Sequence, residues 1–188
     1  MNLIIFGPPG AGKGTQSKFI VKNFNMFQLS TGEFLRNEIA NNTTVGKKIS
    51  SIINTGSLVS DDIVSNLIEK VISNSKYHNN IIFDGYPRSL NQAKNLDNLL
   101  KKYNQKINLV LKLSVSLETI KRRILERRNL EKRADDNEEI AIKRYQTYEK
   151  STEPVIEYYK KLNLLKVING ERSIDQINKE ISDIIALI

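Results

Sequence analysis

Nine residues near the start of the chain, Gly7-Pro8-Pro9-Gly10-Ala11-Gly12-Lys13-Gly14-Thr15, constrain the fold more than any other stretch. They follow an apolar run at residues 3–6 and precede a stretch carrying Phe19 and Ile20, so the expected order is strand, loop, helix. Glycine at 7, 10, 12 and 14 lets backbone N–H groups turn inward around an anion, where side chains would obstruct them. Lys13 adds a point charge for the β- and γ-phosphates of a nucleotide, and the helix start adds its dipole. A tight glycine turn after a strand is common, but a lysine set between two glycines at this full spacing points to phosphate. Against the general pattern G-x-x-x-x-G-K-[ST], Gly14 stands where the hydroxyl belongs and Thr15 follows it. P-loop GTPases and motors use that hydroxyl on Mg²⁺, so the departure lowers those classes.

The rest of the chain repeats the strand–helix alternation. Apolar runs at 26–29, 81–83, 110–113 and 164–168 predict further parallel strands covered on both faces. Ile63, Val64, Leu67, Ile68, Val71 and Ile72 share one helical face behind Ser60 and two acidic residues. Ile177, Ile181, Ile184, Ile185 and Ile188 form a second stripe, opened by the capping box Ser173-x-x-Gln176. A similar box, Asp136-x-x-Glu139, opens a long helix that Pro154 is expected to kink or end. With 188 residues and no repeat, linker or low-complexity tract, the expectation is one doubly wound α/β domain with about five parallel strands.

Composition narrows the partners. The chain has no cysteine, which excludes disulfides and thiolate zinc sites and fits a reducing cytosol. Its first residues lack a basic leader, and the apolar run is too short for a signal peptide or a membrane span. A formal charge of +8 suits either nucleotides or nucleic acid. Arg122, Arg123, Arg127, Arg128 and Arg133 crowd one region, followed by Asp135, Asp136 and Arg144. No aromatic residue interleaves 117–137, so no base-stacking platform supports a nucleic-acid reading.

The decapeptide Gly7-Pro8-Pro9-Gly10-Ala11-Gly12-Lys13-Gly14-Thr15-Gln16 resembles the phosphate loop of adenylate kinases and their nucleoside-monophosphate kinase relatives. The same family is matched, in order, by Ser30-Thr31-Gly32-Glu33-Phe34-Leu35-Arg36, by Gly56-Ser57-Leu58-Val59 and by Asp84-Gly85-Tyr86-Pro87-Arg88-Ser89-Leu90-Asn91-Gln92-Ala93. The likeness continues through Arg127, Arg133-Ala134-Asp135-Asp136 and Arg144 to Thr152-Glu153-Pro154, and so covers nearly the whole chain.

Elementary chemistry agrees with that resemblance. Arg36 and Arg88 each lie just beyond a strand-like run, and in a parallel sheet such ends converge on the ligand crevice. Either arginine alone reads as a surface ion pair, whereas two guanidinium forks beside Asp84-Gly85 suit a monophosphate. The amide of Gln92 offers a donor beside an acceptor, which matches the amino group and ring nitrogen of adenine. The bland alternatives are a helix-surface Gln92, a capping Thr31 and a strand-end cap at Asp84.

The resemblance also implies roles for individual residues. ATP falls to Gly10, Ala11, Gly12, Lys13, Gly14 and Thr15, joined by Arg127 and Arg172. AMP falls to Thr31, Arg36, Ser57, Leu58 and Val59 on one side, and to Gly85, Tyr86, Pro87, Arg88 and Gln92 on the other, with Arg133 and Arg144. Lys13, Arg88, Arg127, Arg133 and Arg144 would neutralise the transferring phosphoryl group, and Asp84 would hold Mg²⁺ through water. Arg122, Arg123 and Arg128 are left as surface residues, with Asp135 and Asp136 orienting the guanidiniums or capping a helix. Residues 30–59 are expected to form a monophosphate-binding flap and 127–137 a short lid without zinc.

The implied reaction is MgATP + AMP ⇌ 2 ADP by direct in-line transfer. A phosphate monoester with a second pKa near ~6 is already largely deprotonated at neutral pH, so no general base is required. His78, the single histidine, reads as a solvated loop residue. ATP, AMP and ADP are thus the expected partners of a cytoplasmic monomer, with no nucleic acid or membrane. The rival readings are a UMP/CMP kinase of the same mechanism, a P-loop kinase for another small metabolite, and a basic nucleic-acid-binding P-loop protein. Pyrimidine-specific relatives typically lack the Thr31/Gln92 pair.

Overall fold

The structure, a computed structural model, describes residues 1–55, 57–131 and 138–188. Five strands form one parallel sheet: β1 (Asn2–Phe6), β2 (Phe27–Ser30), β3 (Ile81–Asp84), β4 (Ile107–Ser114) and β5 (Leu165–Asn169). Their order is β2-β3-β1-β4-β5, with Ile5 opposite Asp84 on one side of β1 and opposite Leu111 on the other. The chain leaves β1 toward β2 and leaves β3 toward β4, in opposite directions. The crevice at the carboxyl ends of β1 and β3 is therefore the topological switch point of the sheet, where open α/β folds bind ligands.

The helices are α1 (Lys13–Phe24), α2 (Thr31–Ala40), α3 (Thr44–Asn54), α4 (Asp61–Ile72), α5 (Leu90–Lys102), α6 (Leu117–Glu131), α7 (Glu138–Lys161) and α8 (Ile174–Ile185). Alternate strand residues feed two cores. Ile4, Phe6, Ile81, Phe83 and Val110 pack under α2, α3, α4, α5 and α7 through Leu35, Ile49, Ile68, Leu96, Ile156 and others. Leu3, Ile5, Ile82, Leu109 and Leu111 meet Ile20 of α1 and Ile177, Ile181 and Ile185 of α8. This is the predicted doubly wound sheet, and the capping box of Ser173 and Gln176 is present at α8.

Two expectations are corrected. The edge strand β5 is only partly covered: α7 and α8 both contact it, yet Val167 is 57% exposed. Pro154 does not end its helix: α7 runs on to Lys161. Burial of Thr152, Val155, Ile156 and Tyr159 around the proline holds the helix there, offsetting a loss of about 3 kcal/mol for an interior proline. At Gly14 an added Cβ would meet no atom of the described residues within 4 Å, so the expectation that glycine is needed there rests on the phosphate alone. Gly12 differs: it caps α1 in the left-handed region at φ 96°, which favours glycine. His78 is exposed, as expected. The box residue Asp136 lies outside the described residues.

Candidate active site

A cleft enclosing about 1060 Å³ of empty space, its mouth included, opens at the switch point. The loop after β1 forms its floor through Gly7, Pro9 and Lys13. The Lys13 ammonium donates to the carbonyls of Gly7 (2.7 Å) and Pro8 (3.1 Å), which folds the side chain back over its own loop. Burial pushes its pKa down to about 8; Asp84 opposes that shift, while Arg88, Arg144 and Arg127 add to it. A lysine that is costly to keep charged, amid three guanidiniums, marks a place where negative charge is strongly favoured.

The segment after β3 builds the opposite wall. Gly85 sits at φ +78°, a left-handed turn that swings the chain from the strand end across the cleft. Its carbonyl accepts from Arg88 Nε at 2.7 Å and from the Thr31 hydroxyl at 3.0 Å. One carbonyl thus ties the start of α2 to the arginine. Burial lowers the Arg88 pKa to about 10, with Arg144 and Arg36 adding to the shift and Asp84 opposing it. Gln92, 5% exposed in the first turn of α5, is held at both ends of its amide. Its Oε1 accepts from the Arg88 backbone N–H at 2.7 Å, and its Nε2 donates to Asp61 Oδ1 at 2.6 Å. Because a backbone N–H can only donate, this pairing fixes which amide atom is oxygen.

Thr31, Arg36, Ser57, Leu58, Val59, Gly85, Tyr86, Pro87, Arg88, Gln92 and Arg144 all line this cleft, as their proposed shared site requires. Leu35, Ile53 and Val64 complete an apolar wall beside the polar groups, suited to the faces of a flat base. Tyr86 offers its ring rather than its hydroxyl, which is bound to the Gln92 carbonyl and pushed up to about 12 by burial. Gly10, Ala11, Gly12, Gly14 and Thr15 form the turn and the first residues of α1 beneath Lys13. Arg127 does not line the cleft, although its charge is felt at Lys13. Arg172 does not line this cleft; it lines a separate depression with Ser116, Val167 and Asn169, where it pairs with Glu180 at 3.0 Å. Gly56, Arg133, Ala134, Asp135 and Asp136 lie outside the described residues.

Arg123 is a correction. Instead of facing solvent with Arg122 and Arg128, it donates to the carbonyls of Ala11 (3.4 Å) and Gly170 (2.9 Å). It thereby clamps the phosphate loop to the turn after β5. Sequence reasoning also missed Asp61, and Gln28, which donates to Asp84 Oδ2 at 3.0 Å. Thr147, Tyr148, Ser151 and Thr152 join Arg144 along the cleft. Their spacing of three, four, seven and eight residues from Arg144 is one helical face, a signal available in the sequence.

Asp84 is 8% exposed and supplies a hard carboxylate oxygen at the end of β3. Among the described residues no group of three or more His, Cys, Asp or Glu could cage a metal. A lone carboxylate near a phosphate loop fits Mg²⁺, which keeps several waters and takes further oxygens from nucleotide phosphates. Nor, among the described residues, is any helix long and apolar enough to cross a membrane.

A phosphate loop at the head of a parallel sheet, facing a guanidinium-lined cleft, defines a P-loop phosphotransferase with two phosphate-bearing ligands. A family model described as adenylate kinase matches residues 5–164. The chain is 44% identical to an adenylate kinase of Pelagibacter ubique, over 98% of this chain and 99% of the relative. It is 41% identical to one from Prochlorococcus marinus, over 96% of each, and 37% identical to one from Petrotoga mobilis, over 98% and 97%. The Pelagibacter alignment spans 211 positions against the 188 residues here, so part of that relative has no counterpart in this chain. The chain belongs to the adenylate kinase family.

Proposed function

We propose that this enzyme catalyses MgATP + AMP ⇌ 2 ADP, with ATP on the phosphate loop and AMP in the cleft between α2 and the turn after β3. The observation that carries the reading is the doubly anchored Gln92 amide, set in one cleft with Arg36 and Arg88 and within reach of the Lys13 charge. A base, a monophosphate and a transferring phosphoryl group each find a matched partner in that order.

In the transfer, an AMP phosphate oxygen bonds to the γ-phosphorus of ATP as the bond to the β–γ bridging oxygen breaks. The electron pair leaves with the β-phosphate as ADP, and no proton need move. Arg36 and Arg88 hold the acceptor phosphate by bidentate forks. Lys13, Arg88 and Arg144, with Arg127 and Arg133, balance the charge on the equatorial oxygens, each worth roughly 10²–10³ in rate by analogy with other preorganised donors. Mg²⁺, held through water by Asp84, would supply further charge neutralisation at the nucleotide phosphates. Water competes as acceptor, so solvent must be excluded before transfer; residues 30–59 and 127–137 are the segments proposed to close.

The test is a coupled assay with MgATP and AMP, UMP, CMP or GMP in turn. AMP should be strongly preferred. Gln92→Ala should lower kcat/KM for AMP on the order of tenfold or more, from the loss of two base hydrogen bonds. An unchanged value would sink the base-reading role, and with it the preference for AMP over UMP and CMP.

A further inference from the structure

Resting on the adenine-reading role of Gln92, we infer that Asp61 is a specificity-determining positioning residue, which keeps the Gln92 amide in the rotamer that accepts 6-aminopurines and rejects 6-oxopurines. The argument starts at the first turn of α4. Ser60 is the residue before that helix, yet its side chain makes no capping bond. Asp61 is exposed, but its Oδ1 turns toward α5 and accepts from Gln92 Nε2 at 2.6 Å. The other end of the amide accepts from the Arg88 N–H at 2.7 Å.

These two contacts are not equivalent. Turning the amide by 180° would set its NH₂ against the Arg88 N–H, donor against donor. It would also set its oxygen against the Asp61 carboxylate, acceptor against acceptor. Both ends therefore select one rotamer. In that rotamer Oε1 keeps one lone pair and Nε2 one hydrogen for a ligand, complementary to an amino group beside an unprotonated ring nitrogen. The turned amide is complementary instead to a carbonyl beside a ring N–H, the edge of inosine or guanosine monophosphate. Asp61 supplies the charged half of the bias, and charge-assisted hydrogen bonds are the stronger kind. Its place immediately after Val59 and Ser60 also puts this pin at the junction between the cleft wall and α4.

The experiment compares kcat/KM for AMP and for inosine monophosphate, with MgATP, in wild type, Asp61→Ala, Asp61→Asn, Gln92→Ala and the Asp61→Ala/Gln92→Ala double variant. Asp61→Ala should lower the AMP-to-IMP ratio by about tenfold, with KM for ATP little changed. Asp61→Asn keeps an acceptor and should restore the ratio at least in part. In the Gln92→Ala background, Asp61→Ala should have no further effect on the ratio. A ratio unmoved by Asp61→Ala, or a loss that persists in the Gln92→Ala background, overturns the inference. A wild type without AMP preference would instead overturn the reading on which it rests.

Discussion

Gly85→Ala separates the backbone's demands from those of the ligand. Gly85 lies at φ +78°, where an L side chain costs roughly 1–2 kcal/mol. An alanine Cβ there would stand 2.9 Å from Arg88 Nη2 and 3.0 Å from Thr31 Oγ1, closer than such atoms normally approach. Both neighbours donate to the Gly85 carbonyl, so neither can retreat without lengthening a bond that now holds it in the cleft. The strain and the weakened bonds together give a destabilisation of about 2–3 kcal/mol. For a domain of this size each kcal/mol lowers Tm by roughly 2–4 °C. Displacing the Arg88 fork by even a few tenths of an ångström should also lower kcat/KM for AMP at least about tenfold, while KM for ATP stays close to wild type. Thermal unfolding followed by circular dichroism and steady-state kinetics with each substrate varied would read both effects. A variant with wild-type Tm would refute the crowding argument. One with lowered Tm but undiminished kcat/KM for AMP would refute the positioning role given to Arg88.

Gly14→Ala is the contrast, since an added methyl meets nothing among the described residues and the helix prefers alanine. Tm should hold or rise slightly (~0.5 kcal/mol) while kcat/KM for ATP falls, and unchanged kinetics would show that no phosphate passes close to that position. Lys13, lowered to about 8 by burial, gives up its proton in the folded chain while the unfolded chain still holds it up to the ordinary value of 10.5. Its contribution to stability therefore rises with pH across that window. ATP binding near pH 8.5 should take up protons, measured by calorimetry in buffers of different ionisation enthalpy, and Lys13→Met should abolish the uptake. Tyr148 has a buried hydroxyl without a hydrogen-bond partner among the described residues. Tyr148→Phe should be neutral or stabilising by up to about 1 kcal/mol in denaturant melts, and a clear loss would mean that the hydroxyl is paired.

The sheet was legible because buried parallel strands are short apolar runs, and each of the five begins or ends within a few residues of the run that announced it. The phosphate loop was legible because its chemistry is local. What escaped was pairing across long sequence separations: Asp61 with Gln92, Gln28 with Asp84, and Arg123 with Ala11 and Gly170. Periodicity says which face of a helix is apolar, not which polar group waits opposite. Arg123 and Arg128 look alike in sequence, yet one bonds the phosphate loop and the other faces solvent. Of the two outcomes expected at Pro154, a kink or an end, the end fails for a related reason: it weighs a local loss against nothing, whereas the surrounding burial is tertiary.

On the proposed roles, the turn after β3 would couple acceptor chemistry to base choice. Between Asp84 and Gln92 the chain presents, in nine residues, the carboxylate proposed to serve Mg²⁺, the carbonyl that holds Thr31 and Arg88, and the amide proposed to read the base. The Arg88 residue serves twice: its guanidinium faces the cleft while its backbone N–H fixes the Gln92 amide. A backbone shift at this point therefore moves the phosphate fork and the base reader together. By contrast, Asp61 reaches Gln92 from another helix, outside that covalent unit. On that proposal, substitution at residue 61 should alter base choice without disturbing the phosphate geometry, whereas substitutions within 84–92 should change both at once.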